Sequence, residues 1–126
     1  MQRFTIDVRK WYAMECLLSA EGGLERHYSP IRIEELVPQK TGQGEFELAF
    51  YHAGYPAGVR DKRYRLRTLN RSTCYLVAQR LDDPAPHMTI IFHDLSREWL
   101  KEHFCINVEE DETIDDILER IAQSPW

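Results

Sequence analysis

The chain reads as one α+β domain covering residues 1–126: an antiparallel, partly rolled β-sheet of about five strands with two C-terminal helices on one face. Three observations predict it. Arg63-Tyr64-Arg65-Leu66-Arg67 alternates basic and apolar residues, the period-two pattern of a strand with one wet face. Two further strand-like runs follow at 74–81 and 87–93, parted by the turn sequence Asp83-Pro84-Ala85-Pro86. The last third changes period, because Ile114, Ile117, Leu118 and Ile121 keep the i, i+3, i+4, i+7 spacing of a helix face.

Taken in order, Phe4, Ile6 and Val8 alternate with Thr5, Asp7 and Arg9, which predicts a first strand. The stretch Lys10 to Ala20 is rich in helix formers and ends at Glu21-Gly22-Gly23. It predicts an N-terminal helix, with a continued strand as the alternative. Tyr28-Ser29-Pro30 interrupts the chain, Ile31-Arg32-Ile33 is a short alternating run, and Leu36-Val37 stops at Pro38. After the turn residues 40–44, Glu45 to His52 reads as a strand with Phe46, Leu48 and Phe50 on one side. Toward the C-terminus, Asp94 or Ser96 caps a helix through Phe104, and Ile106 with Val108 suggests a short return strand. Thr113 caps the last helix, with Asp116 at the capping-box position.

Composition bounds the function classes. At 126 residues, 43% hydrophobic and 29% charged, the chain can bury a core without staples. No apolar run reaches the length of a membrane span, and Arg3, Asp7, Arg9 and Lys10 break any signal-peptide pattern, so a cytoplasmic protein off the membrane is expected. Three widely spaced cysteines, Cys16, Cys74 and Cys105, predict buried reduced thiols rather than disulfides or a zinc site. No cofactor and no metal centre are expected: the acids 109–112 read as a solvated helix flank, and His93 and His103 lack ligand spacing.

Charge is less even than its net value of −5 suggests. Residues 60–80 hold seven basic residues against one acid, whereas residues 81–126 hold twelve acids against three basic residues. That asymmetry predicts either an anion-binding face or a basic strand covered by the acidic C-terminal helices. Arg63, Arg65 and Arg67 project from one strand face, with Arg71 and Arg80 nearby, and guanidinium forks suit phosphate oxygens. The adjoining loop, His52-Ala53-Gly54-Tyr55-Pro56-Ala57-Gly58, has the composition of a site-bearing loop. Arg63, Arg65, Arg67, Arg71, Arg80, His52 and Tyr55 are therefore the candidate ligand-binding residues.

A second constellation follows from hairpin parity. If residues 83–86 form a four-residue loop, Leu81 lies opposite Met88 and Val77 opposite Phe92. His87, Thr89 and His93 then share an outward face with Arg80, where an imidazole moves a proton while the guanidinium holds a phosphate. These are the candidate catalytic residues. A loop one residue longer or shorter would turn one strand over and dissolve the face.

Tyr64-Arg65-Leu66-Arg67, with the strands at Cys74 and Thr89, resembles the strand core of RelE-type ribosome-dependent ribonuclease toxins over about thirty residues. That resemblance implies mRNA cleavage with Arg65, Arg67 and Arg71 at the transferable positions. It departs in net charge, length and the two helices that precede the strands in those toxins. The stretch Glu45 to Arg97 is also similar in outline to the small Sm-like barrel of WYL regulatory domains, with Tyr75-Leu76 as the last two motif residues and Cys74 in place of tryptophan. His87-Met88-Thr89 resembles half of a 2H phosphoesterase motif, the other half having only His27-Tyr28-Ser29 as a candidate. The expectation is a non-catalytic binding or regulatory module for a nucleic acid, a nucleotide or a partner protein, including a second copy of the chain. The alternative is a RelE-like ribonuclease or small phosphodiesterase using the arginines with His87 or His93.

Overall fold

The computed structural model describes residues 3–20, 23–38, 44–52, 59–82, 88–104 and 108–123. Six strands and two helices follow one another: β1 (Trp11–Ala20), β2 (Gly23–Pro38), β3 (Glu45–His52), β4 (Val59–Arg71), β5 (Tyr75–Arg80), β6 (Thr89–Asp94), α1 (Arg97–Phe104) and α2 (Ile114–Gln123). Every strand pairs antiparallel with its sequence neighbour, and β6 returns to β1, closing a six-stranded barrel rather than a partly rolled sheet of five.

The sixth strand comes from the segment expected to be helical. β1 pairs with both β2 and β6, so the helix over 10–20 does not form. The physical reason is double burial. Tyr12, Met14 and Cys16 face the barrel interior, while Ala13 on the other face is also fully buried, beneath the C-terminal helices. A strand covered on both sides loses the polar alternation that marks a strand in sequence. β2 likewise runs unbroken through Pro30, which β1 faces at Ala13, while pairing with β3 begins only at Ile31. A proline fits where one side of the strand has no ladder to supply.

The barrel interior is packed. Tyr12, Ile31, Ile33, Leu48, Phe50, Leu66, Leu76, Ile90 and Phe92 are almost fully excluded from solvent, and each such side chain contributes about 1.5–3 kcal/mol. The face predicted for β3, Phe46, Leu48 and Phe50, lies inside as expected. The N-terminal segment is not a strand, but its alternation is meaningful: Phe4 and Ile6 are buried and close one end of the barrel. Phe4 N–H donates to the Ser72 carbonyl at 2.7 Å, and its ring meets Tyr12 edge-on at 5.8 Å. Arg9, with φ of 68°, turns the chain into β1.

Both predicted helices form and pack outside the barrel over β1. Leu95, Leu100, Ile117 and Leu118 cluster with Ala13, Trp11 and Tyr51, and the Trp11 indole donates to Asp115 at 2.7 Å. Ser96 caps α1 by accepting the Trp99 N–H at 3.0 Å. At α2 the capping box closes, with Thr113 accepting the Asp116 N–H at 3.2 Å and Asp116 accepting the Thr113 N–H at 3.3 Å. Val108 packs into this cluster without strand pairing, so no return strand is seen at that position; Ile106 lies outside the described residues. Among the described residues no helix is long and apolar enough to cross a membrane.

Candidate functional site

The β5–β6 register decides where the candidate residues go. Tyr75 lies opposite His93, Val77 opposite Ile91 and Gln79 opposite Thr89, one residue away from the pairing that a four-residue loop requires. The shift turns β5 over. Leu76, Ala78 and Arg80 face inward with Ile90 and Phe92, while Thr89 and His93 face outward beside Gln79 and Tyr75. Arg80 and His93 therefore lie on opposite sides of the sheet, and the predicted face joining them does not form. His87 and Tyr55 lie outside the described residues.

His93 has another partner. Its Nε2 lies 3.0 Å from Glu15 Oε1, and the other carboxylate oxygen takes Arg26 Nε at 3.0 Å. Glu15 is the buried charged side chain among the described residues, and these two partners supply the counter-charge and hydrogen bonds that such burial requires.

The basic strand is matched by acids from a place the sequence reading did not consider. On β4, Arg67 stands opposite Glu45 and Arg65 opposite Glu47, across the β3 ladder. Arg63 bridges Glu47 at 3.1 Å and Glu35 of β2 at 2.8 Å, and Arg67 reaches Glu45 at 3.3 Å. Opposite charges facing across strands stabilise the pair and neutralise the face. The acidic C-terminal helices, one of the two predicted fates of this strand, pack over β1 instead.

Two of the arginines are not neutralised this way. Arg80, opposite fully buried Leu66, holds its guanidinium 3.8 Å over the Tyr64 ring. Its Nε–H is buried without a hydrogen-bond partner, and no ion pair is made by either Arg80 or Arg65 among the described residues. A groove of about 390 Å³ is lined by Glu47, Arg63, Tyr64, Arg65, Arg80 and Asp82. Asp82 is engaged there, accepting the Arg65 backbone N–H at 2.5 Å. Three candidate arginines, all expected to face outward, thus line one groove with Tyr64. Arg63 and Arg65 come from the outer face of β4 and Arg80 from the inward parity of β5.

Behind this groove the inward positions turn polar. Cys16, Ser29, His52 and Lys62 carry on the interior parity of β1 to β4 toward the barrel end opposite Phe4. His52 Nε2 lies 2.7 Å from Ser29 Oγ. Burial, with the nearby Lys62 charge, pushes the imidazole below its usual range and keeps it neutral at pH 7. Burial pushes the Cys16 thiol up to about 11 against the opposing pull of Arg80 and Lys62. Tyr64 is also raised by burial, with Arg80 opposing. All three are uncharged near neutrality, which leaves Arg80 and Lys62 as the nearby cations, with Asp82 acting on Tyr64 and Glu15 on Cys16.

From sequence, Tyr64 is not a site candidate, and Lys62 is one only as a neighbour of the basic strand face. Lys62 stands opposite inward-facing Phe50 and shares the inward parity of Tyr64 and Leu66. Arg71 sits apart, at the end of β4, beside a second groove near the N-terminal segment. Cys74 is exposed, contrary to the expected burial; Cys16 is buried as expected, and Cys105 lies outside the described residues. Among the described residues no three metal-ligating side chains cluster. Comparison with family models, curated proteins and solved structures finds no match to this chain.

Proposed function

We propose that this protein is a non-catalytic binding module for a small phosphate-bearing ligand of the nucleotide class, held in the groove between β4 and the end of β5. The observation that carries this reading is Arg80: a guanidinium fixed on the Tyr64 ring, with a buried N–H unused and no ion pair among the described residues. The acids of its groove are Glu47, bridged to Arg63, and Asp82, held by the Arg65 N–H. Such a fork is already desolvated and oriented, which lowers the ordering cost of binding an anion. Arg65 adds a second charge at the rim, and the groove is within the size range of small-molecule sites, about 300–1,000 Å³. The outer arginines favour a small ligand over a long nucleic-acid backbone, because Glu35, Glu45 and Glu47 repel phosphates along that face. The separation of Arg80 from Thr89 and His93 supports binding without turnover.

Calorimetric titration with ATP and inorganic tripolyphosphate tests this. Both should bind at low salt and weaken as salt rises. Arg80→Gln should weaken both about tenfold or more, since hydrogen bonds to charged groups are worth about 1.5–3 kcal/mol. Arg67→Gln, whose bridge to Glu45 lies outside the groove, should change little. Absence of binding by the unmodified protein at low salt overturns the reading, and so does an Arg80→Gln variant that binds as before.

A further inference from the structure

The opposite end of the barrel carries a second, chemically different groove, and its occupant does not depend on the reading above. It measures about 350 Å³ and lies between the N-terminal segment and the barrel mouth. Ile6, Leu36, Pro38, Phe46 and Leu76 are five of its ten lining residues and form its apolar side. Arg71 stands at its side, on the last residue of β4 and opposite Leu76. That arginine is exposed and makes no ion pair among the described residues. Glu45, the acid that also borders the groove, is turned to Arg67 at 3.3 Å.

Among the described residues, a largely apolar trough with Arg71 unpaired at its side and its acid, Glu45, bridged to Arg67 is complementary to an amphiphile with an anionic head. We propose that this groove binds an alkyl carboxylate, its chain lying against Ile6, Leu36, Phe46 and Leu76 and its head on the Arg71 guanidinium. Apolar burial drives the chain in, roughly in proportion to the area it covers. The planar fork selects the carboxylate, because two parallel N–H donors match its two oxygens. A peptide strand or a second copy of the chain would also cover apolar surface, and the titration below separates them from the small amphiphile.

The experiment is an amide NMR titration of the full chain with octanoate and, separately, 1-octanol. Octanoate should shift the amides of Ile6, Leu36, Phe46 and Leu76 and bind about tenfold more tightly than the alcohol, a difference of about 1.4 kcal/mol. Arg71→Gln, at an exposed site that leaves the fold intact, should erase that preference, and Arg71→Lys should keep part of it. Equal binding of octanoate and octanol, or no shift with either, overturns the proposal. So does concentration-dependent shifting of the same amides without ligand, which would assign the groove to a second copy.

Discussion

At one end of the barrel the inward positions are Phe46 and Leu76, closed over by Phe4 and Ile6; at the other they are Ser29, His52 and Lys62, with Arg80 and Tyr64 just inside. The same strands build both ends, so the difference is one of side chains at matching parity. The first end gains stability by excluding water. The second holds neutral polar groups and two cations in a place where burial is costly unless something compensates. What the contrast teaches is that the two ends of one packed cylinder differ in chemistry, apolar closure at one and polar and charged groups at the other, and substitutions should sort accordingly.

The largest effect should come from the apolar end. Phe4→Ala should cost about 3–5 kcal/mol in urea unfolding while leaving ATP affinity unchanged. If the cost is within error, the N-terminal segment is not part of the cooperative unit. Ile117→Ala, on the helix stripe outside the barrel, should cost about 2–5 kcal/mol, and an unchanged midpoint would mean that α2 is detached in solution.

The polar end should behave in the opposite sense. Arg80→Met keeps the packing stem and removes the buried, unpartnered N–H, so stability should stay within about 1 kcal/mol or rise while ATP binding is lost. A large loss of stability would make Arg80 a structural residue. His52 gives the same end a pH signature. Its folded pKa lies below the ordinary 6.5, so below neutrality the unfolded chain takes up a proton that the native protein resists. Stability contributed by the neutral imidazole is present above pH 6.5 and falls as pH drops through the window beneath it. His52→Asn should flatten that slope between pH 7.5 and pH 5, and an unchanged slope would exclude His52 as its source.

The smallest effect belongs to the outer face. Arg63→Gln breaks two exposed bridges and should cost only about 0–1 kcal/mol, less at high salt. A larger cost would mean that the Glu35–Arg63–Glu47 network holds the β2–β3–β4 wall together.

How far these features could be read from residues alone depended on whether one face met water. β3 and α2 were legible because Glu45 and Glu47 alternate with Phe46 and Leu48, and Asp115 and Asp116 flank the Ile114–Ile117–Leu118 stripe. β1 was not, because Ala13 is buried outside the barrel as Tyr12 is inside. The arginines of β4 were legible as a face, but their neutralisation required the β3 register. The site at Arg80 turned on a single residue of loop length: Leu81 opposite Met88 puts the arginine outside, whereas the observed register puts it inside. Strand parity offers no intermediate result.

Closure itself has a kinetic consequence. Five of the six pairings join strands that follow each other in the chain, each within reach of a hairpin search lasting about 1–10 μs. The sixth joins Tyr12 to Asp94 across most of the chain, so its entropy of encounter is met only after the others have drawn those residues together. The β1–β6 seam is therefore the closure that loop entropy places last in folding. α1 and α2, which follow β6 in the chain, cluster with Trp11 and Ala13 on the outer side of β1, the seam's other strand.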